Sequence, residues 1–569
     1  MARWSSFVRE TTFGRLVRVF KPSAFPYAEE KPGFVVPTFQ CDEDPKPPLP
    51  RAPGPTSPPS ACSLETAVGD DDEKISWHDD RQTKLPVVPD GIKIVTWYGP
   101  EDPANPQNWS FRLKCWIVAV IMFYTFAIYA GSSIVALGTH EVAEEFHVAE
   151  IVATLSITLF VVGYAVGPLF LSPLSEMASI GRNPPYVLSL FIFFILQIPS
   201  ALVDNFAGLC VLRFLAGFMG SPPLATGGAT LADVFSDRKL GYAMGLYGVA
   251  LGVAPATAPF IAGFAIMNKG WRWSFWIMLM IAGAALVLLF FGLPETNADN
   301  ILYRRAARLR KMTGDESYHA ACEITAKEKT ISHELYEALV RPMVLTVAEP
   351  IVLAIDLYQG LTYAILYSYF ETFPMVFGVG NEHWKGYGWN IGLSGLPFIA
   401  LTIGGMASYV VYVIWSRVWW EPRFVRARRE GRQLQPEDYL PLSLPGAFCY
   451  PICLFWFAWS ANRTHWISPT IASAIFGLAD CWSFIPYLSY MAIAYPNCPA
   501  SALASNDFVR SIMGAAMPIV ARPLFNNLGI DWGNSLMGFI SVAFIPIPFV
   551  LWKYGPWLRA KSSRAATFV

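Results

Sequence analysis

Charge is scarce in this sequence. Only 15% of its 569 residues are Asp, Glu, Lys or Arg, against about 25% in a typical soluble domain. With 54% apolar residues and a mean hydropathy of +0.37, one aqueous core cannot take up all the apolar surface, and a lipid bilayer is the solvent that fits. Lys and Arg (42) nearly cancel Asp and Glu (43), so no basic excess exists to hold nucleic acid. The nine cysteines are scattered, without metal-ligand spacing or close pairs, which argues against a zinc site and a disulfide scaffold. No secretory leader pattern opens the sequence, so the first spanning helix is expected to serve as an uncleaved insertion signal. No Gly-rich phosphate loop appears, which disfavours a nucleotide-driven pump. No cluster of His, Asp or Cys at one membrane depth appears either, so an enzyme is not expected.

What the sequence does have is apolar runs. A span takes about 20 apolar residues, and such runs lie near 115–138, 150–173, 184–203, 206–232, 240–266 and 272–293, then near 346–377, 389–415, 441–460, 467–494, 501–525 and 532–552. The expected fold is an all-α integral membrane protein with twelve transmembrane helices in two six-helix bundles, the organisation of a duplicated transporter. The expected divisions are a cytosolic N-terminal tail (1–114), a first bundle (115–293), a cytosolic linker (294–345), a second bundle (346–552) and a cytosolic C-terminal tail (553–569). Within the first tail, Pro45 to Pro59 is too Pro-rich for a packed core and is expected to be disordered or extended.

Basic residues set the orientation. Arg304, Arg305, Arg308, Arg310 and Lys311 crowd the linker; Arg417, Arg423, Arg426, Arg428, Arg429 and Arg432 follow span eight; the gap after span one has Glu141, Glu144 and Glu145 but no Lys or Arg. This predicts both termini and the linker on the cytosolic side. The segments Trp4 to Phe20 and Ile301–Met312 are basic and amphipathic, suited to the inner membrane face, with a solvated charged helix as the alternative for the second. Of two glycosylation triplets, the one at Asn108 falls on the cytosolic side and the one at Asn462 lies close to a span end.

Charge within a span is costly and marks function by default. Here it comprises Arg213 in span four, Glu349, Asp356 and Glu371 in span seven, Asp480 in span ten, and Asp507, Arg510 and Arg522 in span eleven. Glu349, Asp356, Tyr363 and Phe370 recur every seven residues, with Gln359 and Tyr367 between them. That face of span seven must line a cavity or meet another helix. Asp480 lies mid-span near Tyr487 and Tyr490; it suits a proton carrier, or a structural acid joining helices. Asp507 and Arg510 are three apart and can pair within the helix. Glu349 and Arg522 lie near span ends, within reach of headgroups. Pro255 and Pro259 interrupt span five, where Ala254, Ala258 and Ala262 permit close helix approach.

These segments together resemble the major facilitator superfamily, and within it the fungal twelve-spanner drug:proton antiporters of the benomyl, methotrexate and fluconazole resistance type. The resemblance rests on Asp102-Pro-Ala-Asn-Pro-Gln-Asn-Trp109, on Arg213-Phe-Leu-Ala-Gly-Phe-Met-Gly-Ser-Pro222 with Thr226-Gly-Gly-Ala-Thr-Leu-Ala-Asp233, and on Trp271-Arg-Trp-Ser-Phe-Trp276 and Leu293-Pro-Glu-Thr296. It continues through Glu349-Pro-Ile-Val-Leu353, Phe370-Glu-Thr-Phe-Pro374 and Ala504-Ser-Asn-Asp507 with Arg510-Ser511. It implies two bundles around a central cavity that alternate access by rocking. It also implies a proton-coupling role for Arg213. Pro255, Pro259 and Gly263 match the antiporter motif. Glu176 and Arg182 match a cytoplasmic latch, with Asp233 as a further gating position. The chain departs from the pattern in the three alanines of span five, in Ser172 and Asn183 of the latch motif, and in Asp356 and Asp480.

The reading is export of amphipathic drugs or toxins in exchange for protons across the plasma membrane, by a multi-pass monomer that needs a proton gradient and no cofactor. Its partners are small organic substrates, protons and the lipid bilayer. Asp480 or Asp356 would carry the proton or pair a cationic substrate. Tyr358, Gln359, Tyr363, Tyr367, Phe370, Glu371, Tyr487, Tyr490 and Asn506 are the expected substrate contacts. The alternatives are a proton symporter or a metabolite exporter, for a polyamine or sugar, then a transport-dead sensor or a membrane-embedded enzyme.

Overall fold

The structure, a computed structural model, describes residues 7–34 and 92–565 apart from 22, 32, 328–335, 381–384, 431, 433, 497 and 563. Trp4 and the Pro-rich stretch 45–59 lie outside the described residues. In lipid, backbone amides and carbonyls must bond within their own segment, so the apolar runs become helices. The first bundle comprises Phe111–Ser133, Leu155–Glu176, Asn183–Leu202, Phe206–Gly220 continued by Pro222–Val234, Asp237–Lys269 and Trp273–Gly292. The second comprises Pro350–Phe377, Ile391–Ser394 continued by Pro397–Trp415, Ser443–Ser460, Ile467–Ala494 and a helix from Pro499 to Phe544 that leads into Pro546–Lys561.

The 46 residues of Pro499–Phe544 would reach about 69 Å as one helix, roughly twice the bilayer core. Gly529 breaks the run at φ 75° and ψ 167°, a conformation that glycine adopts without a Cβ penalty. Spans eleven and twelve are therefore 499–528 and 530–561. Val287, Met280, Met406 and Phe539 are more than half exposed, as lipid-facing side chains are.

The two bundles repeat one packing device. A Cβ on Gly163 of span two would strike the Phe214 carbonyl, and one on Gly217 of span four the Phe160 carbonyl. Six spans later, a Cβ on Gly404 of span eight would strike the Ala474 carbonyl, and one on Gly477 of span ten the Leu401 carbonyl. Small residues let backbones touch where lipid supplies no hydrophobic drive. Span five runs unbroken through Pro255 and Pro259, and its Ala254, Ala258 and Ala262 are buried.

On the side of the membrane where the linker lies, the chain is more ordered than a solvated tail. Lys93–Val95 pairs in parallel with Tyr318–Ala320, a small sheet in an otherwise helical protein. The tail helix Thr12–Phe20 sets Phe13 against Phe290 and Phe291 of span six, with ring centroids 6.3 and 5.0 Å away, and leaves Leu16, Val19 and Phe20 exposed. The arginines of the linker helix Ala298–Thr313 do not reach for headgroups. Arg304 donates to Glu10 at 2.8 Å, Arg305 to Asp102 at 2.7 Å, and Arg310 to Glu323 at 2.9 Å, while Arg308 lies 3.5 Å from Glu29. Acids of the tail and of the linker itself pair with these four arginines, an arrangement that neither sequence expectation for that helix included. Burial pushes the Glu10 carboxyl up, but Arg304, Arg9 and Arg15 more than offset it and hold it down at about 2.

Candidate functional site

Residues of spans one, five, seven, ten and eleven line a narrow gap between the bundles. Its polar lining is Tyr129, Gln359, Thr362, Tyr363, Asp480 and Arg510. Gly248 and Gly252 form the wall on span five, and the gap continues past them to Gly405 and Gly477, with Asp480 bordering both parts. The bundles meet on either side of this space. Toward the linker, Arg238 pairs with Glu421, and Tyr412 and Tyr409 donate to the carbonyls of Gly241 and Tyr242, each at 3.1 Å. Toward the far side, Thr158 donates to the Ala515 carbonyl at 2.9 Å, and Gly263 closes on Ile391 and Gly392.

The two acids singled out from sequence sit in opposite surroundings. Asp356 is fully buried. It accepts from Ser505 at 2.7 Å, Asn506 at 3.0 Å and Thr346 at 3.4 Å. Three donors satisfy it and join span seven to span eleven, so Asp356 and Asn506 form a structural contact and do not line the cavity. Asp480 faces the cavity and the Gly252 wall, and among the described residues no donor bonds to it.

Arg510 is held at the cavity wall. It pairs with Asp507, lies 3.3 Å from the Tyr129 hydroxyl, and is flanked by the rings of Tyr363 and Phe484 at 4.9 and 5.0 Å. The intrahelical pair expected from spacing is present, and it also carries the cation of the cavity. Above it, the Tyr164 hydroxyl lies 2.7 Å from that of Tyr363 and 2.9 Å from that of Tyr367. This three-tyrosine junction crosses from the first bundle to the second.

Arg213 is 1% exposed. It donates to the carbonyls of Ser156 and Gly131, both at 2.7 Å, and stacks over Phe160 at 4.3 Å. No carboxylate pairs with it among the described residues; two backbone carbonyls take its hydrogen bonds instead. Gly131 leaves the space that the Phe160 ring fills beneath the guanidinium, and Tyr367 lies within electrostatic reach.

Other expected contacts lie elsewhere. Tyr358 and Tyr487 stack on each other at 5.0 Å inside the second bundle. Tyr490 donates to Glu437 at 3.3 Å, beside Arg559. Phe370 packs on Phe398 at 5.6 Å. None of these four lines the cavity: Tyr358 and Phe370 lie on span seven, which is buried around nearly its whole circumference, and Tyr487 and Tyr490 lie on span ten, where their rings meet neighbours of the second bundle. Gln359, Tyr363 and Tyr367 are at or beside the cavity. Arg522 does not reach for headgroups: it donates to Glu371 at 2.6 Å and pairs with Glu150 of the first bundle. Glu349 accepts from Tyr495 at 3.1 Å.

At the latch, Arg182 donates to Asp233 at 2.6 Å and lies within electrostatic reach of Glu176. Its centre is a residue the sequence left without a role. Glu295 accepts from the backbone amides of Arg182, Thr296 and Asn297 at 3.0–3.1 Å and from Arg15 of the tail at 3.0 Å. The Leu293-Pro-Glu-Thr296 motif was the available signal for it. Tyr129, Tyr164, Gly248, Gly252 and Phe484 had none, being ordinary residues of apolar spans. The Ser133 hydroxyl donates to the Pro255 carbonyl at 2.6 Å, and Gly395 packs against the Pro259 carbonyl.

Comparison with known proteins places this geometry. The profile of the Major Facilitator Superfamily matches residues 117–518. The chain is 38% identical over 565 residues to "Transporter mfs1" of Schizosaccharomyces pombe, covering 98% of this chain and 99% of that one. It is 40% identical to "Multidrug transporter FLR1" of Candida glabrata (82% and 83% covered) and 40% identical to "Fluconazole resistance protein 1" of Saccharomyces cerevisiae (82% and 84%). Among solved structures, the proton:xylose symporter XylE superposes with a TM-score of 0.57 at 13% identity, covering 78% of this chain and 96% of that one.

Proposed function

This chain belongs to the major facilitator superfamily and is a multi-pass membrane transporter rather than an enzyme, and from that premise we propose that it is a proton-coupled antiporter exporting small amphipathic organic molecules. The observation that carries the reading is Asp480: a carboxylate at the interface of the bundles that borders the gap, within electrostatic reach of Arg510 and with no hydrogen-bond donor among the described residues. Ionised there, it costs several kcal/mol unless water, a proton or a cation meets it. It therefore takes a proton when the cavity faces the acidic side and releases it when the cavity faces the other. Leu251, Leu366 and Phe484 give an apolar body a surface, and Tyr129, Gln359 and Tyr363 offer hydrogen bonds without fixing one shape.

Rocking of the bundles must part Arg238 from Glu421 on one side and Arg522 from Glu150 on the other, and must shear the Tyr164 junction between them. Arg213 ties spans one, two and four together next to Tyr367. It acts as a positioning residue for that junction, which ends at Arg510 on the cavity wall. Relatives named for multidrug transport and for fluconazole resistance support drugs as cargo. The protein works as a monomer in the plasma membrane, with both termini and the linker cytosolic, and the proton gradient drives it without a cofactor.

The test is drug accumulation in a yeast stripped of its own pumps. Expression of this chain should lower intracellular fluconazole or cycloheximide, and a protonophore should abolish the difference. Accumulation unchanged by expression, at confirmed surface abundance, would overturn the reading.

A further inference from the structure

The tail helix Thr12–Phe20 carries an apolar face that the described residues leave uncovered. Phe13, Leu16, Val17, Val19 and Phe20 fall on one side of it at helical spacing, and Arg15 and Arg18 on the other. Leu16, Val19 and Phe20 are 50, 75 and 83% exposed. This face continues a lipid boundary. Its first ring, Phe13, lies against Phe290 and Phe291 at the end of span six. Phe291 is itself half exposed, as is Val287 one turn deeper in the span. Basic amphipathic helices commonly reach anionic headgroups through their cations, but here the arginines are taken. Arg15 donates to Glu295 at 3.0 Å, Arg18 to Glu30 at 3.0 Å and to the Phe25 carbonyl at 2.9 Å, and Arg9 to Glu10 at 3.2 Å and to the Pro26 carbonyl at 3.0 Å. The same segment is built into the latch. Thr11 forms a short antiparallel bridge with Pro294, and the Glu295 amide donates to the Glu10 carbonyl at 3.0 Å. The carboxylate that takes the amides of Arg182, Thr296 and Asn297 also takes Arg15.

We propose that Leu16, Val19 and Phe20 form a lipid-binding surface seated in the leaflet on the linker's side, and that this contact braces the latch through Arg15 and Glu295. The partner is the apolar part of the lipid, met at the level where span six leaves the hydrocarbon, and not the charge of its headgroup. Burial of the apolar face fixes a helix in the interface. Fixing this one holds the Arg15 guanidinium on Glu295, and with it the carboxylate around which the Arg182, Thr296 and Asn297 amides gather. The inference goes beyond the antiporter reading and does not rest on it.

The test uses the full-length protein in phospholipid nanodiscs with Phe20→p-benzoylphenylalanine. On irradiation the ketone adds across a nearby C–H bond, so capture of a lipid raises the intact mass by one phospholipid. The same replacement at Val287 gives the yield of a lipid-facing position. Position 20 should reach at least about a third of that yield, and phosphatidylcholine alone should match phosphatidylcholine with phosphatidylserine within about twofold. The latch is read by hydrogen exchange at the Thr296 and Asn297 amides. Val19→Asp combined with Phe20→Asp changes two side chains that face away from the protein, and should speed that exchange at least about threefold. Val19→Leu combined with Phe20→Leu should leave it as in the wild type. Arg15→Gln should speed the exchange while keeping the lipid adduct at position 20. Absence of a lipid adduct, an adduct that needs phosphatidylserine, capture of a second copy of the chain in place of lipid, or unchanged exchange in the acidic double variant would each overturn the proposal. Neither readout uses transport, so their failure leaves the antiporter reading to its own test.

Discussion

Asp356 and Asp480 are the same residue type, each inside a long helix of the second bundle, yet they meet different surroundings. Around Asp356, spans seven and eleven and the helix before span seven supply Thr346, Ser505 and Asn506. Opposite Asp480, span five supplies Gly252. Three donors hold the first acid in place and tie span seven to span eleven. The second has no donor among the described residues, and in the proposed exchange its charge state follows the side of the membrane to which the gap opens. Whether a buried acid is structural or functional is decided by the donors that its neighbours bring.

The comparison breaks first at Asp480. Asp480→Asn should reduce proton-driven export of every drug at least about tenfold at normal surface expression, while Asp356→Asn keeps roughly half or more of wild-type export. The reverse pattern in a resistance panel would exchange the two roles. Next comes Arg213→Ala, which removes the guanidinium that joins spans one, two and four. Export should fall about tenfold with equilibrium drug binding near that of the wild type, and unimpaired gradient-driven efflux in this variant would remove Arg213 from the coupling path.

Smaller effects sharpen the structural side. Asp356→Ala leaves donors of Ser505, Asn506 and Thr346 without their acceptor and should cost about 1–3 kcal/mol, read as a lower Tm of the detergent-solubilised protein. Asp356→Asn, which keeps an acceptor oxygen, should cost less. At the tail, Glu10 is held below its ordinary 4.5, at about 2. A carboxylate depressed in the folded state contributes stability that is present above the unfolded value and lost as pH falls through the folded one. Docking of the N-terminal segment should therefore be constant above about pH 4.5 and weaken from there toward pH 2. The contribution is on the order of 2–3 kcal/mol at neutral pH. Limited proteolysis of the tail across that range checks it, and Glu10→Gln should flatten the dependence.

Much of the fold was legible in the sequence, and the reasons are specific. Apolar runs gave the spans to within about five residues because lipid leaves the backbone no alternative to helix, and the break at Gly529 fell between two runs; the last helix alone runs well past its expected end, to Lys561, into the segment read as a tail. The tail's ion pairs were not legible: Arg305 finds Asp102 across 203 residues and Arg304 finds Glu10 across 294, and no local pattern carries such a pairing. At the site, periodicity put Gln359, Tyr363 and Tyr367 on one face, which the structure sets at or beside the gap, and put Asp356 and Phe370 on the same face although they meet neighbours of their own bundle, since span seven is buried on nearly all sides and its repeat cannot say which neighbour lies where. The glycine wall left no trace, because a glycine in an apolar span does not reveal what would fill its missing side chain.

The central claim is that Asp480 exchanges its proton while Asp356 does not, and proton release on binding tests it most directly. A cationic drug such as rhodamine 6G is added to the purified protein in weakly buffered solution containing a pH indicator, at a pH where binding is half-coupled. The wild type and Asp356→Asn should release protons in equal number, and Asp480→Asn should bind the drug and release none. Proton release from Asp480→Asn equal to that of the wild type would contradict the account.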